Sequence, residues 1–209
     1  MLGLFKTGPW LFTKAGSSTI IKAMRIFVGI KLAEATRENI TRELLPFKKI
    51  ATSMRWTEIG NIHLTLKFMG EASEVMVERI AQALQTAKIP VAPFQLKISG
   101  FGKFPAGADL HIFWAGVDHT PQLWTLFAEI ENTLAPLGIV REAQPFNPHI
   151  TLGRNKARYN SETVFELLAA NQDLFLSECL VTSFQLFSSQ LTPAGPQYKI
   201  LKEISLEQS

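Results

Sequence analysis

Short stretches rich in β-branched and aromatic residues predict strands over 25–32 (RIFVGIKL), 94–101 (FQLKISGF), 110–117 (LHIFWAGV), 146–153, 180–190 and 197–206. In 61–68 (NIHLTLKF) apolar and polar positions alternate strictly, the mark of a half-buried strand. Met54 to Thr57 reads as a short extended piece. Between these lie helical spacings. Ile40, Leu44 and Leu45 mark a helix over 33–49. Ser73 is a good N-cap for a helix reaching about Ala87, with Val77, Ile80, Ala81 and Leu84 inward. Pro121 suits the first turn of a helix over 121–137 closed by Gly138, and a further helix covers 161–170. GKFPAGAD reads as a turn-rich loop and LTPAGPQ as a hairpin loop.

The resulting order is strand, helix, strand, helix, two strands, helix, strand, helix, two strands. That order suits an α+β fold rather than a parallel βαβ array. It also repeats: each half supplies helix, strand, helix and a strand pair. The letters repeat with it. Asn61–Phe68 reads NIHLTLKF and Asn147–Arg154 reads NPHITLGR, 86 residues later. Asn, His, Thr and Leu coincide at the first, third, fifth and sixth places. A repeat at this distance predicts two related lobes, whose pseudo-twofold packing would bring the two motifs face to face across a cleft.

Composition narrows the classes. Of 209 residues 46% are hydrophobic and 19% charged, too apolar for a disordered chain. One cysteine, Cys179, can form neither an internal disulfide nor a cysteine-rich metal site, and reads as a buried apolar filler. No run approaches the roughly 18 apolar residues that span a bilayer. The net charge of +3 is matched by Lys6, Lys14 and Lys22 in residues 1–23, a stretch without acids; the rest carries 18 basic and 18 acidic residues. Overall basicity therefore gives no argument for a broad polyanion-binding surface. The apolar stretches of 1–23 are broken by Lys6, Gly8-Pro9 and Lys14, a poor match to a secretory signal. Residues 1–23 are expected to be an extension outside the fold, and 24–209 a single bilobal domain.

The repeat carries the candidate chemistry. Residues two apart on a strand share a face, so His63 and Thr65 project together while Leu64, Leu66 and Phe68 project into a core. His149 and Thr151 do the same, with Ile150 and Leu152 behind them. Two imidazoles facing across a cleft can serve as a general acid and a general base near neutral pH. Threonine hydroxyls can donate to phosphoryl oxygens, and Arg154 at the strand's end can clamp an anionic oxygen through its planar fork. The set suits metal-free transfer at a phosphodiester. His-x-Thr alone is a weak signal, but here two of only four histidines carry it, with matched flanks.

With these motifs in place, the chain resembles the two-histidine (2H) phosphoesterases, and within them the RNA 2′,3′-cyclic phosphodiesterases, historically called 2′-5′ RNA ligases. RIFVGIKL, RWTEIGNIHLTLKFMGE, FGKFP, LHIFWAGV and PFNPHITLGR carry the resemblance, which covers about Met24 to Leu206. It implies a bilobal α+β fold of two pseudo-symmetric lobes, each an antiparallel sheet backed by helices with the active cleft between them, and hydrolysis of a terminal 2′,3′-cyclic phosphate to a 2′-phosphate. His63 would give a proton to the departing 3′ oxygen and His149 would take one from water. Thr65 and Thr151 would hold the phosphoryl oxygens, and Arg154 sits where these enzymes often carry a basic residue. It implies no metal and no cofactor. The partner would be an RNA 3′ end bearing a cyclic phosphate, or a small cyclic nucleotide, met by a cytoplasmic monomer without a membrane. Joining of RNA halves through a 2′-5′ bond, or an RNA-end binding module with a vestigial site, stand as alternatives.

Against that background the remaining residues sort as follows. Lys67 falls on the face of His63 and Thr65, as a solvated rim lysine or a contact to an RNA phosphate. Trp56, Phe101, Phe104 and Trp114 are expected to pack in the core, with base stacking as their functional alternative. His111 is expected to be structural or superficial, and His119, in a turn, exposed.

Overall fold

A computed structural model describes residues 23–107, 109–155, 159, 161–193 and 195–206. All but the last residue of the N-terminal stretch 1–23 lies outside the described residues, and Ala23 heads the first strand. The elements are β1 (Ala23–Lys31), α1 (Glu34–Glu43), α2 (Leu45–Ile50), β2 (Arg55–Trp56), β3 (His63–Ser73), α3 (Glu74–Thr86), β4 (Phe94–Phe104), β5 (Ile112–Val117), α4 (Pro121–Leu134), β6 (His149–Arg154), α5 (Glu162–Ala170), β7 (Phe175–Val181), β8 (Ser183–Thr192) and β9 (Gly195–Ser205).

Local chemistry sets most boundaries. The side chains of Ser73, Thr120 and Ser161 each accept from a backbone N–H three residues on, capping α3, α4 and α5. Gly138 ends the turn after α4 at φ 83°, a left-handed conformation that suits glycine. The expected helix over 33–49 is two helices, because Pro46 lacks an N–H and its ring crowds the preceding turn; α2 restarts there with proline in its first turn.

The strands form two antiparallel sheets, ordered β3-β1-β8-β9 and β2-β6-β5-β4-β7. Helices α3 and α4 pack on the first sheet, α1 packs on β7, and α2 meets α5 on the second. The fold is therefore α+β, as the element order predicts, with two antiparallel sheets backed by helices, as the resemblance implies. The sequence repeats are nevertheless not the lobes. Helix α4 precedes the second motif but packs behind β3 of the first, so each lobe draws on both halves of the chain. Three strands also depart from expectation. Strand β3 runs on to Ser73, and β4 extends through Phe104 into the expected GKFPAGAD loop. The apolar run near 180–190 is two strands divided at Thr182, with β7 closing the second sheet beside β4 and β8 entering the first beside β1.

The largest departure is a pair of bulges. Thr65 faces Gly29 and Lys67 faces Val28, so Leu66 is an extra residue on β3. Thr151 faces Trp114 and Gly153 faces Phe113, so Leu152 is the extra residue at the same place in the second motif. A one-residue bulge reverses which face each following side chain takes. Phe68, expected in the core, is 60% exposed, and Lys67, expected on the cleft face, is 4% exposed. Lys67 Nζ meets Glu131 Oε1 of α4 at 2.7 Å, as an ion pair without an aligned hydrogen bond, and donates to the Val140 carbonyl at 2.6 Å. The other Glu131 oxygen accepts from the Glu142 N–H at 3.3 Å. The buried pair thus ties β3 to the connector that leads into β6.

Candidate active site

His63 opens β3 and His149 opens β6, on different sheets, and the two strands approach one another. Both rings are held the same way. Nδ1 of His63 lies 2.6 Å from the Asn61 carbonyl, and Nδ1 of His149 lies 2.9 Å from the Asn147 carbonyl. A carbonyl only accepts, so the neutral ring carries its proton on Nδ1 and presents a lone pair at Nε2. The N-x-H spacing supplies this from the backbone two residues upstream. The Asn61 side chain adds a tie, donating to the Pro196 carbonyl at 2.7 Å. Thr65 Oγ1 sits 3.0 Å from Nε2 of His63, and Thr151 occupies the matching place beside His149.

Aromatic rings wall each imidazole. His63 packs against Phe27, Tyr198 and Phe187 at centroid distances of 4.8, 5.0 and 5.9 Å. Gly29 lies beneath: a Cβ there would come within 2.7 Å of the Leu64 carbonyl and 3.5 Å of His63 Cδ2. His149 packs edge-on to Phe104 at 5.1 Å, with Trp114 at 6.4 Å. The Trp114 ring lies across Gly102, where any side chain would collide with it.

Arg154 joins the two halves. Strict alternation would turn it away from His149, but the bulge at Leu152 returns it, exposed, to the face of His149 and Thr151. Its charge is felt at both imidazoles and at Tyr198 on the opposite sheet. Burial pushes His63 below the usual imidazole range, the Asn61 carbonyl opposes this, and Arg154 adds to the depression. His149 is lowered by burial, opposed by the Asn147 carbonyl, and lowered further by Arg154. Tyr198 is raised by burial and drawn back by Arg154. At neutral pH both shifts favour the uncharged imidazole, beside the threonine hydroxyls and the Arg154 cation.

All five residues singled out by the motifs come together here. Other residues distribute more unevenly. Phe101 is buried in the core as expected, and Trp56 is half-buried against Phe113. Phe104 and Trp114 are half-buried beside His149, not in the core. His119 is exposed and stacks on Trp124. His111 joins the backbone of Phe104 and Asn155, and Cys179 is half-buried. Tyr198, Phe27 and Phe187 escaped the sequence reading, and Phe68, expected in the core, faces outward. Tyr198 lies 135 residues from His63, and no local pattern links them. Among the described residues no three His, Cys, Asp or Glu side chains group as a metal site would require, and no helix is long and apolar enough to cross a membrane.

Comparison with known proteins places this geometry. The family model of the 2′-5′ RNA ligase superfamily matches residues 61–192, a span that contains both motifs. The RNA 2′,3′-cyclic phosphodiesterase of Thermotoga maritima is 34% identical, across 88% of this chain and 96% of its own length. That of Aquifex aeolicus is 30% identical, across 89% and 99%. Escherichia coli LigT in its apo form superposes with a TM-score of 0.72 at 27% identity, covering 89% of this chain and 99% of that one. Two motif strands of matched register, one on each of two helix-backed sheets, and relatives that span nearly the whole chain lead to one assignment: this protein belongs to the 2′-5′ RNA ligase superfamily.

Proposed function

We propose that the protein hydrolyses the 2′,3′-cyclic phosphate at an RNA 3′ end, or on a small cyclic nucleotide, to a 2′-phosphomonoester. The supporting observation is the duplicated anchor: in both motifs the backbone carbonyl two residues upstream fixes Nδ1–H and so puts the lone pair on Nε2, which at His63 faces Thr65 Oγ1, while one guanidinium acts on both rings. The names of the relatives point the same way.

In this reading the Nε2 lone pair of His149 takes a proton as water attacks phosphorus. The bond from phosphorus to O3′ breaks, and His63, protonated at Nε2, gives its proton to the departing oxygen. The product keeps the phosphate on O2′, and solvent exchange resets the two rings. Thr65, Thr151 and Arg154 hold the phosphoryl oxygens. Since both free imidazoles are depressed, the anionic substrate itself supplies the field that favours a proton on His63. Phe68, exposed, paired with Phe27 and at the motif position that Arg154 holds on the other strand, offers a ring on which the nucleoside stacks. Acid and base are both imidazole, so the reaction is proposed to need no metal. The protein is further proposed to act as a cytoplasmic monomer whose bilobal domain includes Ala23.

Incubating the protein with a 2′,3′-cyclic-phosphate oligonucleotide in excess chelator tests the reading. Turnover to a 2′-phosphate is expected. A 3′-phosphate product would overturn the assignment of His63, and loss of activity in chelator would overturn the metal-free step.

A further inference from the structure

Strand β2 is two residues long, and its register sets Arg55 directly opposite Arg154 and Trp56 opposite Gly153. Trp56 lies on the inner face: its ring would be 3.0 Å from a Cβ on Gly153, and it packs edge-on to the buried Phe113. Arg55 therefore projects on the other face, beside Arg154 and toward the cleft. Both guanidiniums are exposed, and neither forms an ion pair with an acid among the described residues. Directly opposed like charges on neighbouring strands are destabilising. A fold that places two arginines this way, at the rim of a phosphate-handling cleft, has its electrostatics completed by an anion.

We infer that Arg55 is the subsite for a second phosphate, the one on the 5′ side of the terminal nucleotide. The inference rests on the proposed function. Arg154 faces the scissile phosphate; Arg55, one strand farther toward the sheet edge, meets the next charge along the chain. A nucleoside 2′,3′-cyclic phosphate with a free 5′-hydroxyl has no group for it. An RNA 3′ end always does. Arg55 thus distinguishes a polynucleotide end from a small cyclic nucleotide, through backbone charge and not through the base. Trp56, wedged beneath, pins the two-residue strand that carries it.

Three substrates separate the possibilities: adenosine 2′,3′-cyclic phosphate, the same compound with a 5′-phosphate, and a dinucleotide ending in a cyclic phosphate. The wild type is expected to favour the last two. Arg55→Gln should lose about tenfold in kcat/KM on both, as removal of a charge-assisted hydrogen bond does, and at least fivefold less on the 5′-hydroxyl compound. The slope of log kcat/KM against log salt on the dinucleotide should fall by about 0.7, one single-strand phosphate contact. Arg55→Lys should keep most of that slope. The thermal midpoint of Arg55→Gln should hold or rise, since a repulsion is relieved; a lower midpoint would mark Arg55 as structural and overturn the inference. Equal losses on all three substrates, or none, would overturn it too. If the wild type turns over none of them, the proposed hydrolysis fails by itself. Arg55 is then judged by calorimetry: wild type should bind the 5′-phosphorylated compound more tightly than the 5′-hydroxyl one, and Arg55→Gln should abolish the difference.

Discussion

Strands β3 and β6 begin alike and end differently. Through N-x-H-x-T-L they share the carbonyl-anchored imidazole, the outward threonine and a bulge at the leucine. Beyond the bulge they diverge: Lys67 and Phe68 in one, Gly153 and Arg154 in the other. Their neighbours explain the inward pair. Strand β3 lies at the edge of its sheet, so a long side chain finds room to reach Glu131 on α4. Strand β6 has β2 beside it, and a Cβ on Gly153 would meet Met54 Sδ at 2.7 Å and the Trp56 ring at 3.0 Å. The outward pair polarises the cleft, a cation on one wall and a ring on the other. In the proposed reaction, proton transfer would use the symmetric part and substrate orientation the asymmetric part.

The shared part is broken most severely at the histidines. His63→Ala and His149→Ala should each lower kcat on a cyclic-phosphate oligonucleotide by about 10²–10⁴-fold, with circular dichroism unchanged. Near-equal losses would confirm that the two rings divide the work; wild-type turnover in either would refute it.

The inward asymmetry should appear in stability. Lys67→Met leaves the Glu131 carboxylate buried without its partner and should destabilise by about 3–5 kcal/mol in urea unfolding. Lys67→Met combined with Glu131→Leu should recover most of this. No recovery would mean that the pair also performs a task its apolar replacement cannot.

The outward asymmetry should appear in kinetics. Arg154→Met should cost about 10- to 100-fold in kcat/KM, and by removing the shared cation should raise the titration of both histidines, read by NMR. Phe68→Ala should raise KM with the histidine titrations unmoved.

The smallest expected effect is on pH dependence. Both folded-state imidazoles sit below their ordinary value of 6.5. Below that value the unfolded chain binds protons more readily than the native one, so the contribution of each ring is complete above 6.5 and is lost as pH falls through the folded value. The thermal midpoint should drop on acidification from pH 7 to 5, less so in His63→Ala. The alkaline limb of kcat/KM, a free-enzyme property, should lie at lower pH than that of kcat, where the bound anion holds the proton on His63. Coincident limbs would count against substrate-assisted protonation.

Much of the site was legible because it is local. A strand brings residues two apart to one face, a duplicated eight-residue pattern pairs two strands, and N-x-H places a carbonyl within reach of its own imidazole. Ser73, Pro121 and Gly138 announced helix ends by backbone chemistry that needs no partner. What alternation misjudged, at Lys67 and Phe68, comes from a bulge, as does the turn of Arg154 to the face of His149, and a bulge is a property of two strands in register. The crossing of α4 to the other half, the split at Thr182, the placement of Tyr198 against His63 and the opposition of Arg55 to Arg154 likewise depend on which strand lies beside which. Covalent neighbours and strand geometry determined the chemical groups and their spacing. Only tertiary packing decided their neighbours, because register and burial are settled by competition among surfaces far apart along the chain.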